Sequence, residues 1–290
     1  MLPEVLDFRL TSKCNMKCSF CFGTKREKVY NPDILREFLL NVKLNGVKNI
    51  VLTGGEPTLA NDFEDIITVL KEIGFEIVIS TNGIFWEDDR LRDLVIKNVN
   101  WVALPVDSAI KEQHNKMRGV EFDHYSLVMK ILKELRELAP HINVKIGTVA
   151  TRENIDNIQA ILNKLPIEPD LWKIYQLSES NINKMYYERN KIDTGDFDNM
   201  IFSLNQRYKN CKTRITYMHE ADRNQQYLFL DPDGSLITID GNSEYELGNY
   251  RDDFCALEEN VRKYVNYQKT NNNFKNSFGC NLNTQEKRDV

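Results

Sequence analysis

Short, almost uniformly apolar runs alternate along the chain with longer stretches in which apolar residues recur every three or four positions. The runs predict strands at Val5–Thr11, Lys48–Thr53, Glu76–Ser80, Trp101–Val106, Asn143–Ala150 and Leu171–Leu177. The periodic stretches predict helices at Asp33–Asn45, Asp62–Ile73, about Glu87–Lys97, about Tyr125–Ala139 and Asn154–Leu165. Gly46, Gly74, Pro140 and Pro166 stand where four of these helices should stop. Strand then helix, repeated about six times, implies an α/β fold with a parallel sheet and helical crossovers. Runs such as KNIVLT and EIVIST, apolar almost throughout, suit strands buried on both faces. A partial (β/α)6 TIM-like barrel over residues 1–180 is therefore expected.

After Ser178 the pattern changes. A polar stretch leads to a predicted helix at Asp196–Tyr208 and short strands at Arg214–Met218, Gln226–Leu230 and Leu236–Ile239, with LDPDGSL as a tight turn. Residues 181–290 read as a small C-terminal, β-containing extension that covers the active-site end. Its Asn- and Lys-rich tail, from about Lys263, reads as a mobile flap or a disordered segment.

Charge narrows the partners. With 38 basic and 43 acidic residues the net charge is −5, so no global field draws in nucleic acid or an anionic membrane. No apolar run is long enough for a membrane helix, and Pro3 and Glu4 follow Met1 too closely for a signal peptide. A soluble protein of the reducing cytoplasm is expected. Six cysteines in 290 residues do not resemble a secreted disulfide framework.

Three of the six lie together. Cys14, Cys18 and Cys21 form a C-x3-C-x2-C spacing just past the first strand. They are one ligand short of a closed zinc site, and no further Cys or His lies near them in sequence. Three soft ligands suit a [4Fe-4S] cluster with one iron left open. Chemistry in such barrels gathers at the C-terminal ends of strands. Those ends carry the cysteine loop, then Gly54-Gly55-Glu56-Pro57, then Ser80-Thr81-Asn82, then Asp107 and Ser108.

The cysteine spacing, with Phe20 before the last Cys, and the GGEP run about 30 residues on resemble the radical S-adenosylmethionine superfamily. That resemblance implies a [4Fe-4S] cluster on Cys14, Cys18 and Cys21 and S-adenosylmethionine bound on the open iron. It places Gly54, Gly55, Glu56 and Pro57 around the methionyl moiety and Ser80, Thr81 and Asn82 near the ribose or carboxylate. It also implies cleavage of the sulfonium to a 5′-deoxyadenosyl radical, fed by a donor such as flavodoxin or ferredoxin.

Further segments are similar to the viperin-like nucleotide dehydratases, an antiviral family: CNMKCSFCF, NVKIGTVAT with Lys145, LWKIYQ with Lys173, and QYLFLD with Tyr227. This likeness implies a nucleoside triphosphate substrate dehydrated to a 3′-deoxy-3′,4′-didehydro nucleotide. Lys145 and Lys173 would meet the phosphates, and Tyr227 would act near the sugar. A lysine within an apolar barrel strand is itself a sign of an interior anion. Two positions depart from the family, Asp7 and Gly147 replacing asparagines, and both bear on substrate contacts.

Alternatives remain open. The radical could act on a peptide or another small metabolite, with the lysines meeting a carboxylate, or the cysteines could serve a non-enzymatic iron or zinc protein. Cys211, Cys255 and Cys280 lack the close pairs of an auxiliary cluster and read as ordinary thiols.

Overall fold

The computed structural model describes residues 1–23, 25–27, 30–179, 184–241 and 243–278; Cys280 lies outside them. Six parallel strands, β1 (Val5–Arg9), β2 (Asn49–Thr53), β3 (Glu76–Ser80), β4 (Trp101–Pro105), β5 (Asn143–Ala150) and β6 (Leu171–Gln176), stand side by side in chain order. Between them run α1 (Pro32–Leu44), α2 (Phe63–Ile73), α3 (Asp89–Asn98), α4 (Lys111–Arg118), α5 (His124–Leu138) and the short α6 (Ile155–Ile158).

Local chemistry accounts for the helix limits. In α2, Phe63, Ile66, Ile67 and Leu70 are buried at the spacing of one helix face, Glu64 and Asp65 occupy the first turn and Lys71 the last. Gly74, at φ 87°, ends it in the left-handed conformation that glycine adopts without a Cβ penalty. Asn31 caps α1 by accepting from the N–H groups of Asp33 and Ile34.

One predicted helix fails. Asn154–Leu165 forms only the single turn of α6 and a 3₁₀ turn at Leu162–Lys164. Asn154, fully buried, turns inward rather than capping: Oδ1 accepts from Thr151, and Nδ2 donates to the carbonyls of Asp107 and Val149. Its side chain holds the ends of β4 and β5 together instead of starting a helix.

The last third adds α7 (Lys184–Asn190), α8 (Thr194–Arg207), β7 (Arg214–Met218), β8 (Phe229–Leu230), β9 (Ser235–Asp240), β10 (Ser243–Asn249), α9 (Phe254–Tyr264) and α10 (Tyr267–Phe278). It extends the same sheet at both edges. Strand β7 pairs in parallel with β6, β8 pairs in parallel with β1, and β9 and β10 follow β8 antiparallel. Among the described residues this makes one ten-stranded sheet, ordered β10-β9-β8-β1-β2-β3-β4-β5-β6-β7. No described helix is long and apolar enough to cross a membrane.

The tail expected to be a flap or without structure is helical as far as Phe278. Thr270, Phe274, Ser277 and Phe278 are its buried face. Phe274 and Phe278 pack with Val5, Val51, Val78, Trp101, Ala103 and Leu171. Asn271 meets the backbone N–H of Glu4 at 2.8 Å. Helix α10 thus plugs the barrel at the end where β1 and β4 begin, opposite the cysteine loop.

Candidate active site

One cavity of about 380 Å³ runs through the barrel interior. Cys14, Cys18, Cys21, Gly54, Gly55, Ser80, Thr81, Asn82, Asp7, Lys145 and Tyr227, all expected from sequence, line it. Glu56, Pro57 and Lys173 are buried but do not line it.

At the cysteine end, Cys14 and Cys21 are exposed and Cys18 half-buried, all as free thiols. Burial raises the Cys14 and Cys18 thiols above their ordinary range, and for Cys18 the Arg118 guanidinium opposes the rise. Arg118 Nη1 lies 3.9 Å from Cys18 Sγ, and Asp107 holds the same guanidinium at 2.5 Å. Asp107 is itself fixed by the Val149 N–H at 2.9 Å.

The glycine pair does something the motif did not reveal. A Cβ on Gly55 would fall 2.2 Å from the carbonyl oxygen of Lys13, and one on Gly54 would fall 2.5 Å from that of Thr11. Both glycines therefore let GGEP press against the backbone of the cysteine loop. The Gly55 and Glu56 N–H groups seal that contact by donating to the carbonyls of Thr11 and Lys13 at 2.7 and 2.8 Å. Gly54 also sits at φ 126°, a conformation costly for any other residue.

Glu56 is 1% exposed. Its Oε1 accepts from the Thr58 N–H, the Thr58 hydroxyl and the Thr81 hydroxyl, and its Oε2 from the Asn82 N–H at 2.8 Å. Burial raises its pKa and these donors oppose the rise. The carboxylate is thus a strut between the ends of β2 and β3, not a group presented to the cavity.

Asn82 is held twice more. Its Nδ2 donates to Asn15 Oδ1 at 2.7 Å, which joins it to the cysteine loop. Its carbonyl accepts from His124 Nε2 at 2.8 Å, His124 Nδ1 meets His114 Nε2 at 2.9 Å, and His114 Nδ1 accepts from the Asp107 N–H at 3.1 Å. The Asp107 N–H requires a bare His114 Nδ1, which sets both tautomers along the chain. Burial keeps both rings neutral, at about 2 for His114 and about 4 for His124. Neither histidine, nor Arg118, stood out in the sequence. They lie on α4 and α5, the first of which the apolar pattern did not predict.

At the plugged end, Asp7, Lys145, Lys173, Tyr175 and Tyr227 cluster. Lys145 Nζ donates to the Tyr175 hydroxyl at 3.0 Å. Lys173 Nζ donates to Asn273 Oδ1 and Ser277 Oγ on α10, both at 2.6 Å. Tyr227 stacks on Phe229 with centroids 5.1 Å apart. Above them Arg9, 2% exposed, pairs with Asp231 and Glu244 and lies over the Phe229 ring.

The residues fit an iron–sulfur cluster with S-adenosylmethionine. Three thiols open onto one end of the cavity, with the GGEP backbone and the Asn82 side chain bonded to their loop. Among the described residues no three His, Cys, Asp or Glu side chains converge on a single-ion site.

Comparison with known proteins agrees. The radical SAM superfamily model matches residues 8–165. A curated S-adenosylmethionine-dependent nucleotide dehydratase from Fibrobacter sp. (strain UWH6) is 27% identical over 94% of this chain and 88% of its own length. A second protein of that name, from Lacinutrix mariniflava, is 26% identical over 81% of this chain, which spans half of the Lacinutrix sequence. Among solved structures, native anSMEcpe with bound AdoMet and the Cp18Cys peptide has a TM-score of 0.72 at 19% identity, covering 90% of this chain and 82% of that one. That likeness supports the partial-barrel fold. The chain belongs to the radical SAM superfamily of enzymes, whose cofactors are a [4Fe-4S] cluster and S-adenosylmethionine.

Proposed function

We propose that this enzyme dehydrates a nucleotide, removing hydrogen from C4′ of the ribose and the 3′ hydroxyl as water. The observation that carries the reading is the juxtaposition, in one cavity, of a thiol-lined end and an end bearing Lys145 and Tyr227. The names of the Fibrobacter and Lacinutrix relatives support the same class.

Cys14, Cys18 and Cys21 hold the cluster, and Gly54, Gly55, Ser80, Thr81 and Asn82 surround S-adenosylmethionine. When bound, the two together supply a 5′-deoxyadenosyl radical by one-electron cleavage of a carbon–sulfur bond. Glu56 and Pro57 act behind that wall, fixing the loops rather than touching the cofactor. Lys145 gives the substrate's phosphate a cationic partner, Tyr227 borders the sugar, and Phe274 and Phe278 keep water from entering below. Exclusion of water protects a reactive radical from side reactions. A small flavodoxin or ferredoxin of the reducing cytoplasm supplies the electron.

The test incubates anaerobically reconstituted, reduced enzyme with each of CTP, UTP, GTP and ATP and their mono- and diphosphates. The expected result is 5′-deoxyadenosine above the uncoupled background and a product lighter than its substrate by one water. Uncoupled cleavage unaffected by every nucleotide would sink the reading.

A further inference from the structure

Two of the cations around the cavity, Arg9 and Arg118, are bonded to carboxylates. Arg9 is bonded to Asp231 at 2.9 Å and Glu244 at 2.7 Å. Arg118 is bonded to Asp107. Arg223 stacks over Phe22 at 3.7 Å, bonds Ser178 and feels Glu220. Lys173, 1% exposed, has its ammonium turned to Asn273 and Ser277 of α10. Lys145 remains, bonded to a neutral phenol, and Asp7 lines the same cavity.

Asp7 lies mid-strand in β1, between Val5 and Arg9, on the face that lines the cavity. The charged groups that face it are Arg9 from its own strand, Lys145 from β5 and Lys173 from β6. The phenols of Tyr175 and Tyr227 border the same space and feel its charge. Burial pushes its carboxyl up to about 7, with Arg9 and then the two lysines pulling it back. Burial likewise pushes Lys145 down to about 7, with Asp7 opposing.

We propose that Asp7 sets how much phosphate charge the substrate carries: it lines the same cavity as Lys145, and its carboxylate offsets part of the positive charge that Lys145 offers a phosphate. The cavity accordingly selects a nucleoside mono- or diphosphate over a triphosphate. This rests on the nucleotide reading and departs from the triphosphate that the viperin-like resemblance implies. A single unit charge a few ångströms from a polyanion in a partly desolvated site is worth about tenfold or more in binding, and the effect grows with each phosphate.

Asp7→Asn tests this with an isosteric change that removes the charge and keeps the packing. Affinities of CMP, CDP and CTP, and of the uridine and guanosine series, are measured by calorimetry for anaerobically reconstituted wild-type and D7N enzyme in the presence of S-adenosylmethionine. In the wild type the mono- or diphosphate is expected to bind tightest. D7N should raise the triphosphate-to-monophosphate affinity ratio about tenfold. An unchanged ratio, or a uniform loss across all three phosphate lengths, overturns the assignment, the second by making Asp7 a sugar-binding group. If neither protein binds any nucleotide while both still cleave S-adenosylmethionine slowly, the nucleotide reading itself fails. Thermal unfolding of D7N within a few degrees of the wild type excludes a folding defect as the cause.

Discussion

The ammonium of Lys173 donates to Oδ1 of Asn273 at 2.6 Å, tying a barrel strand to a helix one hundred residues further on. Lys145, two residues along the neighbouring strand's interior face, makes no hydrogen bond to α10: it bonds Tyr175 and meets the helix only through the Phe278 ring, 4.2 Å from its ammonium. Two lysines that looked alike in the sequence therefore have different work.

Their variants should separate them. Lys173→Met removes the ammonium that bonds Asn273 and Ser277, so amides of residues 267–278 are expected to exchange with deuterium about tenfold faster than in the wild type. Lys145→Met, which removes only a contact with the Phe278 ring, should change that exchange far less and raise substrate KM about tenfold or more with cluster content intact. Equal exchange in the two variants would contradict the division.

Glu56→Gln tests the strut. The amide places an NH2 against hydroxyl and N–H donors that now share one carboxylate, so a loss of about 2–4 kcal/mol in stability is expected. S-adenosylmethionine cleavage should fall with it, as Thr81 and Asn82 lose their common anchor. Denaturant unfolding and 5′-deoxyadenosine quantitation read the two effects. Retention of full stability would mean that the carboxylate is not structural.

Gly55→Ala addresses the contact between GGEP and the cysteine loop. A Cβ 2.2 Å from a backbone carbonyl has no flexible side chain to displace, so the two loops must part. Reconstituted iron and sulfide are expected to drop well below the wild-type content. Unaltered content would show that the loops do not depend on each other.

The buried histidines predict an acid weakness. Both are neutral in the fold, held at about 2 and about 4, whereas the unfolded chain takes up protons near the ordinary value of about 6.5. Between these values the unfolded state binds more protons, so the pair's contribution is full above about pH 6.5 and is lost as pH falls through it. The slope approaches about 1.4 kcal/mol per pH unit for each ring. Urea midpoints at about pH 7 and pH 5 should show the decline, and His124→Gln should roughly halve it.

Much of this was legible beforehand. The strand ends were visible because apolar runs are long, continuous and bounded, and β3, β5 and β7 fall where the pattern put them. The cysteine loop and GGEP were visible because rare residues stand at fixed spacing. For Glu56 the motif names the residue without saying where its carboxylate points, and Thr58, Thr81 and Asn82 bond it here. Helix α10 was missed although Thr270, Phe274 and Phe278 repeat every four residues, because asparagines dilute the surrounding sequence. Arg118 and the His114–His124 chain join positions distant from the motifs, and no local pattern marks such bonds.

Strand β1, which delivers the cysteine loop, is flanked by β2 on one side and by β8 on the other, with Asp7 N bonded to the carbonyl of Leu228 at 2.9 Å. A strand that precedes the cysteine loop is thus completed by one more than two hundred residues further along the chain. Without β8 in place, β1 presents an open edge able to pair with a neighbouring chain, and the cysteine loop hangs from an incomplete sheet. The loop that carries the three cysteines is therefore backed by a complete sheet only once β8 has docked beside β1.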